Sequence, residues 1–291
     1  MKSTFRTSLI PILFGLIVFV WASPQALAQD SLAQVRKLNF PKTREVVETL
    51  PSKDSLYIFL MAGQSNMAGR GLVESADTVS NPRILTLDST NTWIYAKEPL
   101  HWYEPNLTGL DCGLSFAQTL LDSLPQGVSI AIIPCAVGGS SIEQWLHNET
   151  YRGVTLLDNF KEKVAVAQEK GVIKGILWHQ GEANSRPNLI PLYAQRLDSL
   201  LMTFRTIVQN DNLPIVLGEL GSFSATEESR KNWSTVNSII HSVVSKDPYL
   251  GLVETGDLSH KGDQVHFDSE SQRKMGSRYA AQFLKWVKEN P

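Results

Sequence analysis

The segment LYIFLMAGQSNMAGRG, at residues 56–71, joins an apolar run to a turn of small and polar residues. The run at residues 56–62 is typical of a strand that is buried on both faces. Ser65 follows it where a strand of this kind would end and a helix begin. Comparable apolar runs predict three further strands, at residues 129–136, 172–178 and 214–220.

Amphipathic patterns between and after these runs predict four helices, at residues 156–170, 192–209, 227–246 and 271–288. Buried strands that alternate with helices are typical of a parallel sheet covered on both faces. We therefore predict an α/β fold of three layers, α/β/α, with a central, mainly parallel sheet. Residues 71–110 are weakly periodic and carry Trp93, Trp102 and Tyr103, which favours surface packing over glycan binding for each aromatic residue.

The composition allows a large core and gives no electrostatic reason to expect nucleic acid. The chain has 291 residues, 42% of them hydrophobic, and a net charge of −2. Lys and Arg residues are scattered rather than clustered, which disfavours nucleic acid and anionic membranes as partners. No linker or repeat divides the chain, so we predict one domain at residues 55–291 after an N-terminal extension at residues 29–54.

The first 28 residues have the pattern of a cleaved signal peptide. Lys2 and Arg6 precede an apolar run at residues 9–20, and ALA at residues 26–28 offers small residues for cleavage. The alternative is an uncleaved anchor, but a spanning helix needs about 20 apolar residues. We therefore predict export to a periplasm or to the outside of the cell, without stable membrane association after cleavage. The sequence leaves the oligomeric state open.

Export permits disulfides, and the chain has two cysteines, Cys112 and Cys135. They are either one bridge or two buried thiols, and the export prediction slightly favours a bridge. A zinc site with four cysteine ligands is excluded by their number.

Ser65 is the first candidate nucleophile. A serine between a buried strand and a helix has an exposed hydroxyl and nearby backbone N–H groups, which favour a developing oxyanion. The structural alternative is an ordinary helix N-cap. Met67 stands where a Gly-x-Ser-x-Gly elbow requires glycine, so an α/β-hydrolase is disfavoured.

Two histidines have an Asp three residues earlier, a spacing that can orient an imidazole. These pairs are Asp257–His260 and Asp263–His266. His266 is the better candidate base because an aromatic residue and the C-terminal helix follow it. The remaining histidines with no informative acid nearby, His101, His147 and His241, are interpreted as surface or structural residues.

The other polar clusters also follow predicted strands. Gly138-Gly139-Ser140 follows the second strand, and His179-Gln180-Gly181-Glu182 follows the third. The carboxyl ends of parallel strands meet at one edge of a sheet, where α/β proteins bind ligands. We expect His179 to line the cleft and Glu182 to pair with Arg70. Ser140 and Ser141 are rival nucleophiles, favoured as loop-capping or substrate-binding residues.

Four blocks in this order resemble the SGNH hydrolase superfamily, and within it the sialate O-acetylesterase and acetylxylan esterase group, carbohydrate esterase family six. They are GQSNMAGRG at 63–71, PCAVGGSSIEQW at 134–145, WHQGEAN at 178–184 and DQVHF at 263–267. The blocks span about 200 residues of the sequence. Gln64 and Gln180 stand where the wider superfamily has Asp and Asn, and both departures match the carbohydrate esterase group.

The resemblance implies a catalytic triad of Ser65, His266 and Asp263. It also implies an oxyanion hole formed by the N–H of Ser65, the N–H of Gly138 and the side-chain amide of Gln180, with Gly139 close enough to be confused with Gly138. Further residues of the blocks are expected to bind substrate or support the site: Gln64, Asn66, Arg70, Gly139, Ser140, His179 and Glu182.

The implied reaction is hydrolysis of a carbohydrate O-acetyl ester without a cofactor or metal. Acetylxylan or a related plant polysaccharide is favoured as substrate, and O-acetylated sialic acid is the alternative. Metal-dependent deacetylation by His179, Glu182, Asp263 and His266 is disfavoured because no HExxH-like spacing occurs. A secreted glycan-binding protein without activity is the alternative from another class.

Overall fold

The computed structural model describes residues 35–289, and side chains as far as residue 286. The predicted signal peptide at residues 1–28 lies outside the described residues. From Arg36 onward the chain forms one compact unit. Within the described range, no helix combines the length and the apolar character needed to cross a membrane.

The main sheet has the strand order β3-β2-β4-β1-β7-β8-β9 and is parallel except for the β2–β3 pair. A hairpin of β5 and β6 lies apart from it. The strands are β1 (Leu56–Gly63), β2 (Ile84–Leu87), β3 (Trp93–Tyr95), β4 (Ser129–Pro134), β5 (Thr150–Tyr151), β6 (Val154–Thr155), β7 (Val172–His179), β8 (Ile215–Gly218) and β9 (Leu250–Val253).

Helices cover both faces of this sheet, which confirms the three-layer α/β fold. They are α1 (Ser65–Ala68), α2 (Gly113–Leu121), α3 (Ile142–Leu146), α4 (Leu156–Lys170), α5 (Ile190–Val208), α6 (Glu227–Val244) and α7 (Ser269–Glu289). The four predicted strands and four predicted helices are all present, with ends shifted by a few residues.

The central strand β1 divides its side chains between two cores, because successive residues of a strand face opposite sides. Ile58 and Leu60 pack in the core that includes residues of α4, α5 and α6. Phe59 and Met61 pack in the core that includes residues of α2 and α7. This burial on both faces is the reason that the segment is apolar throughout.

The segment at residues 71–110 contributes more structure than its weak periodicity predicts. It contains β2 and β3, and Trp93 is buried in the core. Trp102 and Tyr103 are half-buried against the same core, and the Tyr103 hydroxyl donates to the carbonyl of Pro134 at 2.9 Å. These contacts agree with the packing interpretation of the three aromatic residues.

The slight preference for a disulfide was wrong. Cys112 and Cys135 are both free and buried. The two residues belong to different hydrophobic cores on the two sides of the sheet, Cys112 with the residues of α2 and Cys135 with the residues of α4.

Candidate active site

The carboxyl edge of the sheet brings the predicted blocks together. Ser65 begins α1 directly after β1, and its side chain is largely buried. Gly63, with a φ of 137°, allows the turn between them. A Cβ atom at this position would clash with the carbonyl oxygen of His179 in β7. The glycine therefore lets the strand turn sharply beside its neighbour.

Three side chains form a hydrogen-bonded row. The Nε2 atom of His266 lies 3.0 Å from the Oγ of Ser65, and its Nδ1 lies 2.7 Å from the Oδ2 of Asp263. The other carboxylate oxygen of Asp263 accepts the N–H groups of His266 at 2.8 Å and Val265 at 3.0 Å. This is the arrangement of a nucleophile, a base and an acid that orients the base.

The environment keeps the acid charged and the base neutral near pH 7. Burial alone would raise the pKa of Asp263, but its hydrogen bonds with His266 and Val265 together lower this pKa to about 2. Burial lowers the pKa of His266, which its contact with Asp263 only partly offsets. The positive charges of Arg70 and Lys261 lower the pKa of His266 further. A neutral imidazole at this position can accept a proton from the serine hydroxyl.

Asn66 connects the segment of Ser65 to the loop that carries His266. Its Nδ2 donates to Glu182 at 2.6 Å and to the carbonyl of Val265 at 3.1 Å. Its Oδ1 accepts the N–H of Phe267 at 3.1 Å. Gln64 makes a similar connection to the β7 loop, because its Oε1 accepts the N–H of Ala183 at 3.2 Å. Both side chains therefore connect the segment around Ser65 to neighbouring loops at this edge of the sheet.

The predicted ion pair between Arg70 and Glu182 does not form, because each side chain has another partner. The Nη2 of Arg70 lies 2.7 Å from the Oε2 of Glu104, and both side chains are buried. Glu182 instead accepts a hydrogen bond from Asn66. Glu104 also pairs with Arg152 and accepts the N–H of Gly138 at 2.7 Å.

The block that follows β7 faces inward. The amide nitrogen of Gln180 donates to the Oδ1 of Asn184 at 2.6 Å, and the side chain is fully buried. The prediction that His179 lines the cleft was wrong: its ring is fully buried, and its Nε2 lies 2.8 Å from the carbonyl oxygen of Glu219. His179 is the last residue of β7 and Gln180 follows it, and neither side chain lines the cleft.

The rival serines have structural contacts. The Ser140 hydroxyl donates to the carbonyl of Val137 at 2.8 Å and accepts the indole N–H of Trp145 at 2.9 Å. Ser141 caps α3, and its hydroxyl accepts the N–H of Gln144. Both residues therefore have the loop-capping contacts predicted as one of their two roles.

The alternative histidine pair is not formed. The Nδ1 of His260 accepts the N–H groups of Gly262 and Gln264, while Asp257 pairs with Arg278. His260 thus stabilises the turn that leads to His266.

His101 has a buried acid partner after all, because its Nδ1 lies 2.9 Å from the Oδ2 of Asp111. Its Nε2 accepts the N–H of Ala136 at 3.2 Å. These contacts make His101 structural, as interpreted from the sequence. No group of three or more His, Cys, Asp or Glu side chains suited to a metal ion occurs between residues 35 and 289. The four residues considered as metal ligands therefore form no such group.

A cleft of about 450 Å³ has Ser65 and His266 in its wall, together with Gly138 and Gly139. Its lining carries one acidic side chain, Asp263, and five cationic ones: Arg36, Arg70, Arg152, Arg186 and Lys261. Arg70 and Arg152 are paired with Glu104, whereas Arg186 is exposed. The cleft is therefore cationic, although the chain as a whole has a net charge of −2.

Sequence reasoning missed Glu104, Arg152 and Arg36. None of them lies in a recognisable block. Arg152, in the β5–β6 hairpin, and Arg36, in the N-terminal extension, line the cleft, whereas Glu104 lies in a loop and accepts the N–H of Gly138 in the cleft wall. The one available signal for Glu104 was its place within a long segment of weak periodicity, and such segments are often functional.

Comparison with protein families matches residues 55–285 to the family described as carbohydrate esterase, sialic acid-specific acetylesterase. The chain is 27% identical over 246 residues to a probable carbohydrate esterase of Arabidopsis thaliana, covering 78% of this chain and 90% of that protein. The solved structure of the Arabidopsis protein has a TM-score of 0.68 at 26% identity and covers 79% of this chain and 98% of its own.

Two further solved structures share the fold. The NanS structure has a TM-score of 0.66 at 18% identity, covering 83% of this chain and all of its own. A carbohydrate acetylesterase of Xanthomonas citri has a TM-score of 0.57 at 19% identity, covering 77% of this chain and 55% of its own.

Proposed function

We propose that this chain, which belongs to the sialic acid-specific acetylesterase family of carbohydrate esterases, hydrolyses O-acetyl esters through an acetyl-enzyme on Ser65. The observation that carries the proposal is the row of hydrogen bonds from Ser65 through His266 to Asp263. It stands at the carboxyl edge of a parallel sheet, where α/β proteins place their sites.

In the first half-reaction the Ser65 oxygen attacks the acetyl carbonyl carbon while His266 takes the hydroxyl proton. The tetrahedral intermediate then collapses, the bond to the sugar oxygen breaks, and His266 gives its proton to that oxygen. In the second half-reaction His266 takes a proton from water, whose oxygen attacks the acetyl-enzyme. Acetate leaves, and the proton returns to Ser65.

The oxyanion of both intermediates needs preorganised donors. The N–H of Ser65 lies in the first turn of α1, where N–H groups have no partner within the helix. The family resemblance implies Gly138 and Gln180 as further donors, but the N–H of Gly138 donates to Glu104 and the amide of Gln180 donates to Asn184. We therefore assign the glycine-loop donor to Gly139. Gly139 lines the cleft, and its N–H has no acceptor among residues 35–289.

The charge of the cleft bears on the substrate. A neutral acetylxylan, the substrate favoured by the sequence, gives no reason for the excess of positive charge that remains in the cleft after Arg70 and Arg152 pair with Glu104 and Lys261 pairs with Asp263. A cationic cleft concentrates anionic ligands. We therefore favour an acetylated sugar that carries a carboxylate, such as O-acetylated sialic acid, over acetylxylan. We also propose that the predicted leader exports the enzyme to where such glycans occur.

Two measurements test this function. Acetate release should be lost in Ser65→Ala and retained in Ser141→Ala, which changes only a helix cap in the same region. Activity of Ser65→Ala within about tenfold of wild type would remove the proposed nucleophile.

The second measurement concerns the sugar. We expect kcat/KM to be higher for O-acetylated sialic acid than for acetylated xylan, and to fall with added salt only for the acidic substrate. Equal values, independent of salt, would contradict the assignment of an acidic sugar and leave the serine mechanism intact.

A further inference from the structure

We propose that Glu104 is a positioning residue of this esterase: its carboxylate fixes the glycine loop and the Arg70 guanidinium beside Ser65. The inference rests on the serine-esterase function proposed above. Glu104 does not line the cleft itself, so it would act through the groups that it holds.

Three donors from separate parts of the chain meet at this carboxylate. Its Oε2 accepts the N–H of Gly138 at 2.7 Å and the Nη2 of Arg70 at 2.7 Å. Its Oε1 accepts a hydrogen bond from Arg152 in the β5–β6 turn. Gly138 follows β4 and Arg70 follows α1, so one side chain connects two segments that border the nucleophile.

The close approach depends on a glycine. A Cβ atom at position 138 would collide with Arg70 and would lie 2.5 Å from the Oε2 of Glu104. With glycine, the backbone N–H reaches the carboxylate directly. The adjacent Gly139, with a φ of 80°, then continues the loop along the wall of the cleft. Fixing Gly138 therefore constrains the neighbouring N–H that we assign to the oxyanion.

The carboxylate also balances charge near the base. Arg70 is one of the positive groups that lower the pKa of His266, together with Lys261, whereas Asp263 raises it. Burial alone would raise the pKa of Glu104, but Arg70 and the Gly138 N–H lower it below its ordinary value, so the side chain is ionised. Its negative charge offsets that of Arg70 beside the active site.

An isosteric amide cannot replace this carboxylate. Glutamine at position 104 has one acceptor oxygen, and its amide N–H groups would face a guanidinium, which is also a donor. One of the three partners would lose its acceptor. A buried donor left without a partner costs free energy, so the loop or an arginine would move instead.

The test compares Glu104→Gln with Asp77→Asn, a matched control. Asp77 is also a largely buried carboxylate that pairs with an arginine, Arg273, at 2.7 Å, and it does not line the cleft. Both variants would be assayed on p-nitrophenyl acetate, which has no sugar to contact the arginines. Their thermal unfolding would be measured in parallel.

We expect kcat of Glu104→Gln to fall about tenfold or more with KM changed less than about threefold, because oxyanion donors act on the transition state. We expect Asp77→Asn to keep kcat within about twofold of wild type. Without the negative charge of Glu104, the positive charge of Arg70 lowers the pKa of His266 further. We therefore expect the acid limb of kcat/KM to move to lower pH in Glu104→Gln and to stay in place in Asp77→Asn.

Three results would overturn the proposal. The first is a folded Glu104→Gln variant with kcat within about twofold of wild type. The second is an equal fall in kcat of both variants that matches the fraction of folded protein each of them has lost. The third is a higher kcat in Glu104→Gln, which would mean that Glu104 competes with the oxyanion for the Gly138 N–H.

If Glu104→Gln does not fold, Glu104→Asp keeps the proposal testable. Aspartate retains the charge but is one methylene shorter, so we expect a lower kcat with an unchanged acid limb. Wild-type kcat in this variant would contradict the positioning role. A failure of the serine-esterase function would be distinguishable from these results. In that case the wild-type enzyme would show no esterase activity, or the Ser65→Ala variant would remain active.

Discussion

The Oδ1 atom of Asn66 accepts a hydrogen bond of 3.1 Å from the N–H of Phe267, which lies 201 positions later in the chain. The Nδ2 of the same side chain donates to the carbonyl of Val265. Asn66 thus holds the backbone on both sides of His266. Because Asn66 follows Ser65 directly, we expect these bonds to hold Ser65 and His266 at hydrogen-bonding distance.

Replacing Asn66 with Ala should therefore slow the chemical step. A displacement of about 1 Å at a reacting group can cost about 10²-fold in rate, and we expect a loss of this order in kcat on p-nitrophenyl acetate. Asn212→Ala is the control, because Asn212 is exposed and precedes β8 at the opposite edge of the sheet. A kcat for Asn66→Ala within about threefold of wild type would contradict this role.

Asp263→Asn tests the acid. The amide cannot accept two N–H groups and the imidazole N–H in the way that the carboxylate does, so the tautomer and orientation of His266 are lost. We expect kcat to fall about 10²–10⁴-fold, as is typical when acid–base catalysis is removed. The matching Asp257→Asn change, at the candidate acid that pairs with Arg278 and not with a histidine, should leave kcat near wild type.

The pH profile reports the base. His266 accepts a proton only when neutral, and burial lowers its pKa below the ordinary value of 6.5. The acid limb of kcat/KM should therefore have its midpoint below pH 6.5, while Asp263, with a pKa of about 2, stays ionised throughout.

Lys261→Gln removes a positive charge that lowers this pKa, so we expect the limb to move to higher pH. A limb that stays in place, or moves to lower pH, would be inconsistent with His266 as the titrating base.

The aromatic core on the α5 side should dominate stability. Phe204 is fully buried, with ring centroids 4.5 Å from Phe160 and 5.9 Å from Trp145. Phe204→Ala should lower the free energy of unfolding by about 3–5 kcal/mol. Met202→Ala, in the same helix but 67% exposed, should change it by less than about 0.5 kcal/mol. Denaturant titration of both variants checks the difference.

The two cysteines should be reduced and protected. Burial raises the pKa of the Cys135 thiol to about 12, and burial also raises the pKa of Cys112. We expect a thiol reagent to modify neither residue in the native protein and both after unfolding without reductant. A single disulfide in the unfolded protein would contradict the free thiols of the structure.

The sheet could be predicted where strands are long and buried on both faces, as for β1 and β7. The strands β2, β3 and β9 have three or four residues each, which is too short for a periodicity to stand out, whereas the equally short β8 lies within the apolar run at residues 214–220. Their position depends instead on pairing with neighbours, such as Leu85 with Ala131 and Leu252 with Leu217. Contacts of this kind are set by the tertiary fold.

The hydrogen-bonded row of Ser65, His266 and Asp263 was predictable because each of its members lies in a block of recognisable residues. The partners of Glu104 were not, because Arg70 lies 34 positions and Arg152 lies 48 positions from it in the chain. His101 shows the same limit, since its acid lies ten positions away in an irregular segment. Local spacing predicts the Asp263–His266 contact, whereas the partners in a buried ion pair can be identified only when the tertiary structure is known.

The most direct test of the central claim is covalent labelling of the nucleophile. An alkyl fluorophosphonate reacts with a serine activated by a neighbouring base, and peptide mass spectrometry locates the adduct. We expect the label on Ser65, in proportion to lost esterase activity, and none on Ser65 when His266 is replaced with Ala. Labelling of Ser140 or Ser141, or loss of activity without an adduct on Ser65, would contradict the account.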